Sequence, residues 1–289
     1  MPGHWLHNLD PVAIHIHGQI GIRWYGLAYL AGLAWGWWML GRWVNQGRSP
    51  IRFEKIGDFV LYVGIGMIVG GRLGYCLIYG RDHLFADPLY LIKLWEGGMA
   101  SHGGILGMVA GAWWYARQER LATPVLLDLV ASGAPMGIFL GRLANFVNGE
   151  LWGKPGDVPW AVIFRDAPLV GGINVPRHPS QLYEAALEGL FLLLLILPLH
   201  ARHRRPGLSA GVLLGAYAVA RFIGEFWREP DFGHPPYFGW MNKGQALSIP
   251  VLLIGLIIAI WAWRRGVRKA DYLPPAQPTA PATPPINLG

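Results

Sequence analysis

From Val12 to Trp24 polar and apolar residues alternate. Val12, Ile14, Ile16, Ile20, Ile22 and Trp24 fall on one parity, and His15, His17, Gln19 and Arg23 on the other. A period of two is that of an extended chain with one apolar face. With Gly18-Gln19 in its middle, this stretch predicts a short hairpin or extended segment lying on a membrane. The alternation then gives way to seven long apolar stretches: Trp24 to Leu40, Ile56 to Tyr79, Met99 to Tyr115, Pro124 to Phe146, Gln181 to His200, Leu208 to Trp227 and Gln245 to Trp263. About 20 helical residues cross the hydrocarbon core of a bilayer, so each is predicted as a transmembrane span. The second carries Gly64, Gly66, Gly70, Gly71 and Gly74, small residues at spacings that let helices approach closely.

The polar gaps between spans are not alike. Arg42, Arg48, Arg52 and Lys55 follow the first span, Arg117 and Arg120 the third, Arg202, Arg204 and Arg205 the fifth, and Arg264, Arg265, Arg268 and Lys269 the seventh. Lys and Arg concentrate in cytoplasmic loops, which predicts the N-terminus outside and the C-terminus in the cytoplasm. Seven spans agree with that parity. The longest internal loop, Val147 to Ser180, then lies outside; its prolines and glycines predict irregular structure. The expected organisation is one all-α polytopic membrane domain over residues 1–272. It has about seven transmembrane helices, an outer loop region and a short extended N-terminal segment. The Pro/Ala/Thr-rich stretch 273–289 is expected as a disordered cytoplasmic tail.

Composition supports this picture and removes others. Of the 289 residues 53% are hydrophobic and 14% charged, against about 25% charged in an average soluble domain; the mean hydropathy is +0.32. Fifteen Trp suit the aromatic belts of membrane interfaces. The net charge of +7 sits in short clusters between apolar spans, which points to loop charge and excludes a nucleic-acid partner. Cys76 is the single cysteine, so no disulfide forms within the chain; lying in an apolar run, it reads as a small buried hydrophobe. The N-terminus lacks the basic and apolar regions of a cleaved signal peptide, and the first span is expected to direct insertion. His15 and His17 could ligate a metal, but no carboxylate or cysteine in the pattern completes a site, and a solvated face is the simpler reading. No metal or organic cofactor is implied.

Against this apolar background five polar groups stand out. An arginine or aspartate at the centre of a spanning helix costs about 2.5–3.5 kcal/mol on insertion scales, so such residues are usually paired or functional. His102 lies in Ser101-His102-Gly103-Gly104 at the start of the third span. Its glycines permit close approach of backbone or ligand, and histidine is the usual base near neutral pH. Arg142, Asn145, Asn148 and Glu150 crowd the outer end of the fourth span; Arg142 and Asn145, three apart, share a helix face. Tyr217, Arg221 and Glu225 in the sixth span stand at i, i+4 and i+8, along one stripe where Arg221 and Glu225 can pair. That pair is either structural or a grip for phosphate oxygens, which the planar guanidinium fork matches. In His178-Pro179-Ser180-Gln181-Leu182-Tyr183-Glu184, Pro179 and Ser180 read as a helix start with Glu184 as a local cap, and the group is either that cap or part of a polar site. Tyr25, in Arg23-Trp24-Tyr25-Gly26, is either a belt aromatic or part of a polar site. Arg72 in the second span either faces the same cavity or pairs within the bundle. Together these residues predict a cavity for an anionic, phosphate-bearing molecule, which in a membrane points to a phospholipid headgroup.

The run Gly141-Arg142-Leu143-Ala144-Asn145-Phe146-Val147-Asn148-Gly149-Glu150-Leu151-Trp152-Gly153 closely resembles the signature of the prolipoprotein diacylglyceryl transferase family. His102-Gly103-Gly104, His178-Pro179-Ser180-Gln181 and Glu225-Phe226-Trp227-Arg228-Glu229-Pro230-Asp231 resemble its other blocks. The resemblance runs from Arg23-Trp24-Tyr25-Gly26 to Gly244-Gln245-Ala246-Leu247-Ser248, and the proline-rich tail falls outside it. It implies an enzyme of the bacterial inner membrane. Such an enzyme moves the diacylglyceryl group of phosphatidylglycerol onto the lipobox cysteine of a prolipoprotein signal peptide, forming a thioether and releasing glycerol phosphate. By motif match Arg142 and Arg221 take the phosphate, with Glu225 orienting Arg221. Asn145, Asn148, Glu150 and Gly153 shape the headgroup site, Gly103 and Gly104 join in substrate binding, and Tyr25 and Tyr217 are polar gates or proton partners. His102 is the base implied for the thiol; Glu150, or direct deprotonation assisted by arginine, remains open. Two other classes fit intramembrane arginines. A phospholipid flippase or transporter would favour internal inverted repeats, and none is visible. A hydrolase would need a serine paired with a base, and Ser101 beside His102 does not face it on a helix.

Overall fold

The computed structural model describes residues 3–17, 20–78, 80–93, 97–230 and 240–274, with the side chains of residues 17, 20, 101 and 102 outside that description. Its frame is seven long helices: α1 (Trp24–Asn45), α2 (Ile56–Ile78), α3 (Ser101–Gln118), α4 (Thr123–Asn148), α5 (Ser180–Arg202), α6 (Leu208–Gly224) and α7 (Lys243–Arg265). They correspond one for one to the seven apolar stretches. Among the described residues, Phe53–Ile78, Thr123–Asn148, Ser180–Arg202 and Lys243–Arg265 are long and apolar enough to cross a membrane, and Leu208–Gly224 is a shorter apolar helix. Leu106, Leu194 and Ile257 turn outward from the bundle, each about two-thirds exposed. A helix bundle that presents such residues all round needs lipid as its solvent. The chain is an all-α polytopic membrane protein.

Two helix pairs are held by glycine. A Cβ at Gly103 would overlap the Gly70 carbonyl, and one at Gly107 would overlap that of Gly66, so α2 and α3 touch backbone to backbone. Gly211 and Gly255 do the same for α6 and α7, where a Cβ would overlap the backbone of Ala259 and of Gly215 respectively. Without a hydrophobic effect between helices in lipid, close packing of this kind supplies much of the attraction. A cluster of Met39, Trp43, Ile56, Phe59, Tyr115, Leu126 and Leu129 binds α1 to α4 together at the end where α4 begins.

The alternating N-terminal stretch forms two antiparallel strands, β2 (Val12–His17) and β3 (Ile20–Arg23), after a two-residue strand β1 (Trp5–Leu6). Ile14 faces Ile22 and His15 faces Gly21, with irregular register on either side of that core. Gly18-Gln19, the predicted turn, lies outside the described residues. His15 bonds the Asp10 carboxylate at 2.8 Å on an exposed edge, so a carboxylate that the alternating pattern did not reveal stands beside it. The loop 149–179 has one short strand, β4 (Val162–Ile163), paired parallel to β1. Its remaining order comes from isolated bridges, Gly153 to Arg228 and Arg177 to both Pro155 and Val162. A short helix, Arg81–Ala86, and a 3-10 turn, Pro88–Ile92, were not visible in the pattern. Of the predicted tail, residues 275–289 lie outside the described residues; before them Tyr272 is buried against the bundle.

Candidate active site

The end of α4, the start of α5 and the end of α6 meet in a cluster of charges. Arg142 reaches from α4 with both terminal nitrogens. Its Nη1 lies 2.9 Å from Glu184 Oε2 and its Nη2 donates to Glu188 Oε2 at 3.0 Å. From α6, Arg221 Nη1 donates to Glu184 Oε1 at 2.8 Å and to Glu188 Oε1 at 3.3 Å. Its Nη2 donates to Glu225, one turn further along. Arg228 donates to Glu184 Oε1 at 3.2 Å. The Glu184 and Glu188 side chains are 0% exposed, whereas Arg142 and Arg221 keep 17% and 16%. Three guanidinium groups and three carboxylates interleave, so their formal charges cancel. Without that compensation, charges so deep in a bundle would not be tolerated.

Local structure explains why these groups meet. Between Ala185 and Phe191 α5 widens into a π-helix, a form concentrated at functional sites. There Gly189 packs on α4, where a Cβ would stand 2.6 Å from Phe139 Cα. Glu225 lies against the start of α7. Asn242, the N-cap of α7, forms a capping box with Gln245 and donates to Glu225 Oε2 at 2.7 Å, and a Cβ at Gly244 would overlap the same carboxylate. The positive end of the α7 dipole favours an anion in that position.

A second group adjoins the first. Gly149 ends α4 in the left-handed conformation at φ 70°, turning the chain so that Glu150 faces back along the helix. Asn145 and Asn148 donate to Glu150 Oε1 at 2.7 and 3.3 Å. Gln181 donates to the Glu150 carbonyl at 2.6 Å, and Ser180 to that of Leu151 at 3.0 Å. Two buried acceptors here, Asn148 Oδ1 and Gln181 Oε1, have no hydrogen-bond donor among the described residues. Buried acceptors are rarely left so, and a ligand's hydroxyl groups would satisfy them. At Gly153 the loop crosses the segment after α6. Its N–H donates to the His178 carbonyl at 3.0 Å, and a Cβ would come within 2.6 Å of the Trp227 carbonyl. That crossing delivers Arg228 to the cluster. His178 bonds Tyr183 at 3.2 Å, and burial holds its imidazole below the usual histidine range.

The remaining predicted residues separate. Tyr217 is within electrostatic range of Glu188, Arg221, Arg142 and Glu184. Tyr25 is bonded by Tyr29 at 3.4 Å, and Tyr29 lies within electrostatic range of Glu150. Gly103 and Gly104 both face α2, the first against Gly70 and Gly74 and the second against Met67. The contact that the structure shows for Gly103 is this helix packing. His102 is the second residue of α3, and its side chain lies outside the described residues. Arg72 does not reach the cluster. It donates to the carbonyls of Tyr90, Leu91, Lys93, Gly97 and Gly98, organising the α2–α3 connection.

Glu184 corrects the sequence reading. No side-chain cap bond forms at the start of α5, because the carboxylate points inward to three arginines. Pattern reading missed Glu188 altogether, although Glu184 and Glu188 stand four apart in an apolar helix, the same signal that marked Arg221 and Glu225. It also missed Arg177, which is 2% exposed and donates to Glu229 at 2.9 Å and to the carbonyls of Gly153 and Pro168. Flanking prolines and a loop setting gave no period to betray it.

Known proteins resemble this chain over most of its length. The sequence profile of the prolipoprotein diacylglyceryl transferase family matches residues 11–261. The chain is 46% identical over 268 residues to a phosphatidylglycerol–prolipoprotein diacylglyceryl transferase of Rhodopseudomonas palustris, covering 89% of this chain and 91% of that one. A protein of the same name from Pseudomonas fluorescens is 44% identical over 261 residues, covering 89% and 95%. One from Vibrio cholerae is 40% identical over 260 residues, covering 90% and 94%.

Proposed function

The chain belongs to the prolipoprotein diacylglyceryl transferase family, and from that premise we propose that the paired arginines form the phosphate site of a phosphatidylglycerol–prolipoprotein diacylglyceryl transferase. In this reading a lipobox cysteine of the prolipoprotein loses its thiol proton. The thiolate attacks the glyceryl carbon that carries the phosphate. A C–S bond forms, the C–O bond breaks, and glycerol phosphate leaves with the electron pair. The observation that carries the reading is the convergence of Arg142 and Arg221, from different helices, on the same two buried carboxylates while their side chains keep 17% and 16% exposure. Guanidinium groups fixed in advance need little reorganisation as charge develops on the leaving phosphate. Glu225, backed by Asn242, orients Arg221. The unfilled acceptors of Asn148 and Gln181 suit the hydroxyl groups of a glycerol headgroup.

His102 carries the role of base, since a thiol must become a thiolate to attack carbon. Cys76 is buried, and the substrate supplies the sulfur. The enzyme sits in the bacterial inner membrane with its N-terminus and the 149–179 loop outside, which places the site where secreted precursors emerge. The Arg/Lys-rich ends of the first, third, fifth and seventh spans support that orientation.

The test is a transfer assay with purified protein, phosphatidylglycerol micelles and a synthetic lipobox peptide, read as peptide mass and released glycerol phosphate. A diacylglyceryl adduct that disappears when the peptide cysteine becomes serine is the expected result. Phospholipid turnover without an adduct would mean a hydrolase, and no turnover a lipid-binding or transport protein. His102→Gln should abolish transfer and leave phosphatidylglycerol binding intact; full activity in that variant removes His102 from the mechanism.

A further inference from the structure

Arg142 and Arg221 were given the phosphate above, yet every terminal nitrogen of both already faces a carboxylate. Resting on that assignment, we propose that Glu188 is a positioning residue that bridges the two guanidinium groups when no phosphate is bound, and takes up one proton as it yields them to the phosphate.

The geometry singles out Glu188. One oxygen meets Arg142 Nη2 at 3.0 Å and the other meets Arg221 Nη1 at 3.3 Å, so a single carboxylate spans the two forks as two phosphate oxygens would. Glu188 therefore holds the arginines at a spacing suited to the ligand. The cluster of three arginines and three glutamates is neutral. A phosphodiester entering it adds one negative charge beside side chains that water does not reach, and an uncompensated buried charge is costly. A proton on one carboxylate restores the balance. Glu184 is poorly suited, because it also holds Arg228. Glu225 is anchored by Asn242 through both its side chain and its carbonyl. Glu188 has salt bridges to the two phosphate arginines and to no other base among the described residues, so its release breaks the fewest contacts. It also sits inside the π segment, where the backbone hydrogen bonding is least regular. The groups that face it are Arg142 from α4, Arg221 and the Tyr217 phenol from α6, and Glu184 from its own helix. Glu225 shares Arg221 with it.

The linkage has a definite sign. Wherever binding takes up one proton, affinity falls about tenfold for each unit that pH rises; where it takes up none, affinity is independent of pH. The experiment is calorimetric titration of the full-length protein in detergent with short-chain phosphatidylglycerol, in buffers of differing ionisation heat from about pH 6 to 9. The phosphodiester does not titrate there, so the protons counted belong to the protein. The wild type should take up close to one proton per lipid over part of that range. Glu188→Gln should take up none and bind at least about tenfold more tightly at the alkaline end, and Glu188→Asp should restore the uptake. A wild-type count of zero throughout, or a wild-type count retained in Glu188→Gln, overturns the proposal. Should Glu188→Gln fail to fold, the wild-type count and Glu188→Asp decide it. Undiminished binding in Arg142→Gln would instead remove the phosphate assignment itself, a failure separate from that of Glu188.

Discussion

The same three helices bury polar groups at both of their ends, and the two ends are built differently. Where α4 finishes, α5 starts and α6 finishes, arginines and glutamates interleave, two of the arginines stay partly accessible, and the side-chain carbonyls of Asn148 and Gln181 lack donors. At the opposite end, about 21 Å away along α4 at 1.5 Å per residue, Asp128 is 1% exposed. It accepts from the Gly207 and Ala210 N–H groups, both at 2.8 Å, capping α6, and Tyr272 stands 3.5 Å away. Trp43 donates to Ser132 at 3.0 Å, and His200 bonds Ser209 at 3.2 Å. A polar residue in an apolar helix is therefore not in itself a sign of chemistry. The Asp128 end spends most of its hydrogen bonds on joining helices, His200 Nε2 alone of that group having no partner among the described residues. The other end keeps accessible charge and unused acceptors, which is the state a ligand site requires.

Three substitutions test that contrast. The largest effect belongs to Arg221→Gln. Loss of one preorganised donor to a developing anion lowers kcat by about 10²–10³-fold. Glu184, Glu188 and Glu225 also lose a partner, at a cost of about 3–5 kcal/mol in unfolding free energy when a buried pair is broken. Transfer rate and thermal unfolding, measured together, should both fall; a stability loss alone would make the two ends equivalent. Next comes Asp128→Ala, which removes the cap of α6 and lowers stability by about 0.5–2 kcal/mol, with kcat per folded molecule unchanged. A fall in kcat beyond the unfolded fraction would show that the Asp128 end also serves the reaction. Smallest is Tyr272→Phe, which removes one long contact to Asp128 and should cost under about 1 kcal/mol. Its transfer rate should equal the wild type's, and a measurable deficit would tie the C-terminal segment to the site.

Much of the fold was legible because a bilayer imposes strict rules on sequence. Length and apolarity marked seven helices, and period two marked the strands at Val12–His17 and Ile20–Arg23. Gly70 and Gly103 were legible as small residues, but their mutual contact was not. Of the charged cluster, Arg142, Arg221 and Glu225 were found because each breaks an apolar run. Glu184 was misread because a glutamate four residues into a helix has a familiar local explanation, and capping and burial look alike in one dimension. The π segment left no mark, since it depends on how α5 is pressed against α4 at Gly189 and Phe139.

By itself, the sequence determined the solvent, the number of long helices and the residues too costly to bury without a purpose, because these follow from transfer free energies summed along a chain. Only the tertiary structure decided which charge meets which. Arg142 comes from α4, Glu184 and Glu188 from α5, Arg221 from α6 and Arg228 from the segment after it, and their pairing depends on helix approach and rotation at distances of about 3 Å, a scale set by packing in three dimensions. It alone separated Arg72, bound to backbone carbonyls, from the arginines that share carboxylates, because the environment of a guanidinium group is a property of the fold and not of its neighbours in sequence.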